Sequence, residues 1–389
     1  MRASTLLGGI VAATIGIGAA HGQTLIIGLD AKVGLDAQRK PTLTGPGKDT
    51  LAIMDISNPA KPKLVANIPL DNTIVGPPTN LAITPKRDLA LVANSMNSQP
   101  KGEGFELVPD DRLFVVDLTA KPPVVIDTLH IGKQPSGMAI APNGKLALVA
   151  NRADGTLTVL SIDGKTVKQT ASLTLGTAAD SVSAVAITPD GKRALVAKAG
   201  ANAVAVLSID GDKVADDKRD LPTGLFPYNV VVSPNGKIAL TADNGDRGSS
   251  DGNAKTIGVI DLTANPIRVS DHVTVGDSPE GLAFSPDGKV AVSVEARGSN
   301  ALASAFFYHK GGAVTVLKID GTKVTRVDEI TVGQLPEAVA FSADGSRIYV
   351  GNYLDSDLAV LSVKGTVVKD TGHNLALPGK PASMRSGPQ

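Results

Sequence analysis

A short motif recurs seven times along the chain at fixed internal spacing. In most copies a Gly precedes a Pro by three positions, an apolar stretch follows, and the copy ends in Pro-Asp-Gly or a close variant, as in Gly132 to Gly144 and Gly276 to Gly288. The residues that open the turns are Pro85, Pro142, Pro189, Pro234, Pro286, Ala343 and Pro388. The residues seven positions upstream are Pro78, Pro135, Val182, Pro227, Pro279, Pro336 and Pro381. A repeat of this kind indicates a β-propeller or a solenoid.

Four strands fit into each complete repeat. An apolar strand leads to a Pro-Asp-Gly or Pro-Asn-Gly turn, which supplies the fixed and the positive φ that a tight turn needs. A second strand follows, then a third rich in β-branched residues that often ends in Asp-Gly, a hairpin signal, and then a fourth. Four strands per repeat are typical of a propeller blade. The sequence therefore predicts an all-β, seven-bladed β-propeller with four antiparallel strands per blade.

The seventh repeat is divided between the two ends of the chain. Gly379 to Pro388 supplies only a first strand, whereas 25–29, 50–57 and 63–70 supply three strands before the first complete repeat. We therefore expect the seventh blade to be closed by N-terminal and C-terminal strands, which removes an open sheet edge.

Residues 1–22 resemble a secretory signal peptide, with Arg2, an apolar run and small residues before the expected cleavage site. We expect residues 23–389 to form a single propeller domain, periplasmic or secreted, monomeric, and without a membrane span after cleavage. The chain has 38 basic and 38 acidic residues and no Cys. Disulfides, haem thioether links and thiolate chemistry are therefore excluded. The neutral charge and the scarcity of aromatic residues disfavour nucleic acid as a partner.

The ends of the second strands carry a more specific pattern. They read Leu91-Val92-Ala93-Asn94, Leu148-Val149-Ala150-Asn151 and Tyr349-Val350-Gly351-Asn352. With the Gly-x-x-Pro and Pro-Asp-Gly motifs, this resembles the YVTN family of bacterial β-propellers over nearly the whole chain after residue 22. Three repeats depart from the pattern, with Lys198, Asp243 and Glu295 in place of Asn. The resemblance implies the fold and a range of functions, including periplasmic binding, surface-layer and lactonase-like proteins.

Four loops between second and third strands are long: 31–48, 95–110, 244–255 and 296–312. They fall in two pairs of neighbouring blades on one face, which predicts a ligand-binding or partner-binding cleft unless they are simple insertions. The last loop holds Phe306, Phe307 and Tyr308, which either pack on their own blade or cover a ligand. The candidate ligand-binding residues are these three with Tyr228 and Arg297, and the candidate catalytic residue is His309.

Several carboxylates are predicted to gather near the channel on the same face. Glu280 and Glu337 follow the upstream prolines of adjacent blades, and Asp243 and Glu295 end second strands. Clustered carboxylates need a cation, an Arg partner or a raised pKa. The four are candidate ligands of Ca²⁺ or Mg²⁺, which take oxygen donors. Alternatively, basic neighbours neutralise them or solvent surrounds them.

Two functions are carried forward from the sequence. The first is an exported binding or scaffold propeller, not an enzyme, that holds a protein partner or a small ligand on its long-loop face. The alternative is a lactone hydrolase or sugar-acid enzyme in which a divalent metal acts at the acidic channel mouth of blades 4–6.

Overall fold

In the computed structural model, which describes residues 23–72, 76–245 and 250–387, strands account for nearly all regular structure. The first strands in chain order are β1 (Thr24–Asp30), β2 (Val33–Leu35), β3 (Pro41–Leu43), β4 (Thr50–Asp55), β5 (Lys63–Pro69), β6 (Leu81–Ile83), β7 (Leu89–Ala93), β8 (Met96–Lys101), β9 (Gly104–Pro109), β10 (Arg112–Asp117) and β11 (Val124–His130). The next are β12 (Pro135–Ile140), β13 (Leu146–Asn151), β14 (Thr156–Asp163), β15 (Thr166–Thr174), β16 (Val182–Ile187), β17 (Arg193–Lys198), β18 (Ala203–Asp210), β19 (Lys213–Pro222), β20 (Pro227–Val232), β21 (Ile238–Asp243), β22 (Lys255–Asp261) and β23 (Arg268–Val275). The last are β24 (Pro279–Phe284), β25 (Val290–Glu295), β26 (Ala313–Asp320), β27 (Lys323–Thr331), β28 (Pro336–Phe341), β29 (Arg347–Asn352), β30 (Asp357–Lys364), β31 (Val367–Ala376) and β32 (Lys380–Arg385).

These strands form seven four-stranded antiparallel sheets, the blades, and two small hairpins, β2–β3 and β8–β9. Blade 1 is β6-β7-β10-β11, blade 2 is β12 to β15, blade 3 is β16 to β19, blade 4 is β20 to β23, blade 5 is β24 to β27 and blade 6 is β28 to β31. Blade 7 has the order β32-β1-β4-β5, so its innermost strand comes from the end of the chain. The prediction of a seven-bladed propeller closed by both termini is confirmed.

The blades form a closed ring around their first strands. Each first strand contacts the first strand of the next blade, and β32 contacts β6. The buried apolar residues fall into seven clusters, each between two adjacent blades. Apolar residues therefore face both sides of the inner strands, whereas most residues of the fourth strands, such as β15 and β27, are exposed.

Local packing explains the two repeated motifs. The Gly of Gly-x-x-Pro lies against the side chain that ends the second strand, so a Cβ at Gly132 would clash with Asn151. The second x residue takes a positive φ, as at Gln134 (57°), and turns the chain into the first strand. Its carbonyl accepts a hydrogen bond from the backbone N–H of Arg152, at 3.0 Å. The Gly and the second-strand residue thus fix how each blade begins.

Long loops of neighbouring blades touch in the two predicted pairs. Ser98 of blade 1 donates a hydrogen bond to the carbonyl of Thr44 in blade 7, at 2.7 Å. The N–H of Gly298 in blade 5 donates to Ser250 of blade 4, at 3.1 Å. Helical structure in the described ranges is limited to two 3-10 turns, Ala178–Asp180 and Ala199–Ala201, and no helix there is long and apolar enough to cross a membrane. The predicted signal (1–22) and Pro388 lie outside the described residues.

Gly132→Ala should lower the free energy of unfolding by about 1–3 kcal/mol, because the added methyl overpacks a buried contact with Asn151. The measurement is urea unfolding followed by circular dichroism. Gly104→Ala in the β8–β9 hairpin is the matched control, since a Cβ there meets only a backbone oxygen at 4.0 Å. Equal stability of the two variants would show that the Gly of the motif has no packing role.

Candidate functional site

In blades 2 to 7 a bulge near the start of the first strand frees the residue after the upstream Pro, or after Val182, from the sheet ladder, and in blade 1 the equivalent residue, Thr79, precedes β6. In β20 the pairing with β21 runs from Pro227 directly to Asn229, and in β28 the pairing with β29 runs from Pro336 directly to Ala338. The skipped residue is left out of the ladder, which is how β-bulges redirect side chains near functional sites. We call these residues the mouth ring: Thr79, Ser136, Ser183, Tyr228, Glu280, Glu337 and Ala382.

Two members of the mouth ring form a carboxyl pair. Glu280 of blade 5 and Glu337 of blade 6 are only 5% and 9% exposed. Burial raises the pKa of Glu280 to about 7, and a hydrogen bond from Glu337 opposes that rise. Burial, the charge of Glu280 and this hydrogen bond raise the pKa of Glu337 well above its usual value. Burial and the contact between the two groups therefore favour a protonated carboxyl in this pair, and the two groups titrate together.

Tyr228 and Arg152 adjoin this pair. The guanidinium carbon of Arg152 lies 5.9 Å from the centre of the Tyr228 ring, and a guanidinium N–H donates a hydrogen bond to the Tyr228 hydroxyl. Arg152 also donates from Nε to the hydroxyl of Ser181, at 3.1 Å. Burial and the charge of Glu280 raise the pKa of Tyr228, so its phenol stays protonated and can donate. The mouth thus holds a cation and a neutral hydroxyl donor beside the carboxyl pair.

A second polar group reaches the mouth from blades 6 and 7. The Tyr353 hydroxyl donates to Asp30 at 3.3 Å and to the carbonyl of Val33 at 3.0 Å. Burial raises the pKa of Asp30, and the charge of Asp30 contributes to the raised pKa of Glu337. We call the following six residues the mouth cluster: Asp30, Arg152, Tyr228, Glu280, Glu337 and Tyr353.

A buried ion pair supports the Asp30 end of the mouth cluster. Lys32 and Asp49 are both fully buried and form a salt bridge within blade 7. Asp49 also accepts the backbone N–H groups of Ala31, at 2.9 Å, and Asn72, at 3.0 Å. A buried ion pair whose carboxylate oxygens also accept backbone hydrogen bonds holds the surrounding chain segments in one arrangement. The turn after β1, and with it Asp30, is therefore fixed.

The structure does not bring Asp243 and Glu295 to the carboxyl pair. Asp243 accepts hydrogen bonds from Thr241 and Thr256, at 2.8 and 2.9 Å, inside blade 4. Glu295 accepts one from Thr315 at 2.9 Å, inside blade 5. Alternation along a strand explains the difference from the prediction, because the last residue of a second strand points into its own blade and only the next residue faces the mouth. Burial raises the pKa of Asp243 to about 6 and that of Glu295 to about 8.

The donor set does not fit the predicted divalent cation. Among the described residues no group of three or more His, Cys, Asp or Glu side chains is placed to hold a metal ion. Ca²⁺ takes six to eight oxygen ligands, and Mg²⁺ needs near-octahedral geometry. Glu280 and Glu337 instead lie within hydrogen-bonding reach of each other, and burial raises the pKa of both.

The loop of blade 5 places its candidates away from the mouth cluster. His309 is exposed and its Nδ1 lies 3.0 Å from the carbonyl of Arg297 and 3.1 Å from that of Phe307, so it stabilises the loop. Arg297 forms a salt bridge with Glu329 of the outer strand β27, at 2.7 Å. Phe306 is 90% exposed and packs edge-to-face on the half-buried Phe307, while Tyr308 is half-buried in the same loop.

Sequence reasoning missed Arg152, Tyr353 and Asp30. Arg152 and Tyr353 directly follow the Asn that ends a second strand, and Asp30 takes the corresponding place in blade 7, opposite Lys380. The signal was available, because this position carries Ser95, Ala199, Asn244 and Ala296 in the other blades. A comparison of the residue after each second strand would have shown three large polar side chains there.

Comparison with known proteins supports the fold. No protein-family model and no curated protein sequence matches the chain. Among solved structures, a periplasmic gluconolactonase from Pseudomonas aeruginosa is 18% identical with a TM-score of 0.65, covering 93% of this chain and 98% of that one. A functionally unknown protein from Desulfotomaculum acetoxidans is 15% identical with a TM-score of 0.67, covering 94% and 100%. Hydrazine synthase from Kuenenia stuttgartiensis is 21% identical with a TM-score of 0.57, covering 75% and 78%. At these identities the similarity establishes a shared propeller fold, to which lactonase-like proteins belong.

The buried acids should make the protein more stable in mild acid than in mild base. A raised carboxyl pKa means that the folded chain binds more protons than the unfolded chain, so the free energy of unfolding falls as pH rises from about 4.5 to about 8. Glu295→Gln keeps the shape of the side chain but removes the carboxyl that must be protonated when it is buried. The variant should therefore show a weaker dependence of the free energy of unfolding on pH, and should be more stable than the wild type at pH 8. The measurement is the urea midpoint at pH 5, 6.5 and 8.

The control is Glu103→Gln, which changes an exposed carboxyl between β8 and β9 and should leave the profile unchanged. If Glu295→Gln were no more stable than the wild type at pH 8, Glu295 would not be a buried acid that costs stability.

Proposed function

We propose that this chain hydrolyses lactones, of the sugar-acid class, at the mouth cluster and without a metal ion. The observation that carries the proposal is the Glu280–Glu337 pair, two carboxyls of adjacent blades that are 5% and 9% exposed and lie within hydrogen-bonding reach of each other. Pairs of titratable groups whose environments separate their pKa values mark acid and base roles. The similarity in fold to a gluconolactonase supports the reaction class only by analogy.

The roles follow from the protonation states. Glu280, as carboxylate, accepts a proton from the water that attacks the lactone carbonyl. Arg152 and the neutral hydroxyl of Tyr228 donate hydrogen bonds to the oxyanion that forms. Glu337 gives its proton to the ring oxygen as the acyl C–O bond breaks. Water and lactone thereby yield one hydroxy acid, and the pair again holds a single proton.

Tyr353 adds an acceptor for a polyhydroxylated ring, because its own proton is donated to the buried Asp30 and to the carbonyl of Val33 and its oxygen can still accept a hydrogen bond from a sugar hydroxyl. The mouth cluster also bears more acidic than basic groups, which disfavours retention of the product anion.

Glu280→Gln and Glu337→Gln should each lower kcat/KM for glucono-1,5-lactone by roughly 10²-fold or more, because each removes a proton-transfer group. Activity should rise with pH through about 7 as Glu280 ionises, and fall again when Glu337 loses its proton. The measurement is a pH-stat titration of the acid released from a panel of aldonolactones.

Ser183→Ala is the matched control, since Ser183 holds the same ring position in blade 3, and it should leave the rate unchanged. EDTA should also leave the rate unchanged. Loss of activity in EDTA that a divalent ion restores would overturn the metal-free mechanism, and no hydrolysis of any lactone would overturn the proposed function.

A second candidate is an exported scaffold that binds a protein through the loops of blades 4 and 5. The observation that favours it is the 90% exposure of Phe306, an apolar ring at a loop surface. A Cβ at Gly252 of blade 4 would lie 2.6 Å from Phe307, so the two loops form one surface. Export rests on the signal-like residues 1–22.

Phe306→Ser should abolish the cross-linking of a partner protein to this chain in the periplasmic fraction, because the exposed ring would be the main contact with that partner. Phe105→Ser, which removes the 38% exposed ring of the other loop pair, is the control and should retain it. Mass spectrometry of the same sample should show an amino terminus at Gln23. Equal retention by both variants, or a chain that begins at Met1, would contradict this candidate.

A further inference from the structure

A cavity of about 500 Å³ lies at the other end of the channel, where the first strands end and the turns to the second strands begin. Its wall is mainly apolar and includes Ile187, Val232, Phe284 and Phe341. Among the described residues that line it, none is Asp or Glu, and two are arginines. The volume falls in the range of small-molecule sites.

The first arginine departs from the repeat at a channel-facing position. Arg385 is the fourth residue after Pro381, and the corresponding residues of the other blades are Ala82, Ala139, Ala186, Val231, Ala283 and Ala340. Arg385 is only 8% exposed, and burial lowers its pKa to about 10, so it remains a cation at neutral pH. Its Nη1 donates a hydrogen bond to the carbonyl of Met384, at 3.1 Å, and the side chain lines the cavity.

The second arginine departs from the repeat in a turn. Arg87 has a φ of 58° in blade 1, where the turns of blades 2–6 place a Gly with φ of 68–69°. An arginine in the left-handed region is strained, and strain of this kind collects at functional sites. Its Nη1 donates to the carbonyl of Ser386 at 3.0 Å, which holds the side chain at the cavity. Two independent departures from the repeat thus bring positive charge to one apolar cavity.

We propose that this cavity binds a small organic carboxylate with an apolar body, such as an arylalkanoate, through Arg385 and Arg87. A guanidinium matches a carboxylate in bidentate geometry, and the strand ends supply the apolar wall. The hydroxyls of Ser233, Ser342 and Ser386 already donate to Asn235, Asp344 and the carbonyl of Phe341. A sugar or a polyphosphate would therefore find few free hydroxyl donors, which favours a monoanion with an apolar body.

The test is isothermal titration calorimetry of the full chain with 4-phenylbutyrate and with its neutral amide. The carboxylate should bind and the amide should not. Arg385→Ala and Arg87→Gly each install the residue that other blades carry, so both should fold, and each should weaken binding at least tenfold. Arg385→Lys keeps the charge but loses the planar fork, and should bind with intermediate affinity.

Absence of carboxylate binding up to millimolar concentration, equal binding of the amide, or unchanged binding in Arg385→Ala and Arg87→Gly would each overturn the proposal. If Arg385→Ala failed to fold, Arg87→Gly and Arg385→Lys would still decide the matter. Lactone hydrolysis should be unaffected in these variants, because none alters the mouth cluster, so this site and the proposed activity can fail separately.

Discussion

The pairing of β1 with β32 is the interaction on which the rest of the structure depends. Every blade buries its apolar faces only against its two neighbours, so an open ring would leave two such faces in water. The pairing runs from Ile26 opposite Arg385 to Asp30 opposite Lys380, with a bulge at Ala382 of β32. It also places Asp30 at the mouth cluster and Arg385 in the cavity at the opposite end. Closure of the ring and the contents of both channel ends therefore depend on the same two strands.

The channel mouth combines groups that destabilise the fold when considered alone. Two carboxyls at 5% and 9% exposure cannot both ionise at small separation without a cation, and their raised pKa values reflect that conflict. The bulges that aim them into the mouth also interrupt the sheet ladder. Such arrangements persist where the surrounding structure fixes them, and here the interblade clusters supply that support.

Fixed spacing made the fold predictable from sequence. Tyr228, Glu280 and Glu337 share one repeat position, and they lie close enough that both carboxyls contribute to the raised pKa of Tyr228. Repeat position alone does not show which of the four candidate metal ligands lie together. Asp243 and Glu295 are one residue from the position that faces the mouth, and their side chains accept hydrogen bonds inside their own blades. Contacts within long loops are likewise invisible in a repeat, which is why Arg297 and His309 were assigned to the cleft although they stabilise the loop of blade 5.

Both sites that we propose for this chain lie at positions that break the repeat. Residues shared by the blades are those the blade fold requires, such as Gly in the turn and Ala along the channel. Where one blade carries Arg, Glu or Tyr at such a position, the substitution introduces a buried charge, a buried hydroxyl or a strained φ. Each of these lowers the free energy of unfolding. The mouth cluster holds three acids, Asp30, Glu280 and Glu337, beside Arg152, whereas the described lining of the cavity holds two arginines and no acid. This difference in charge is the reason why we propose different ligands for the two ends of the channel.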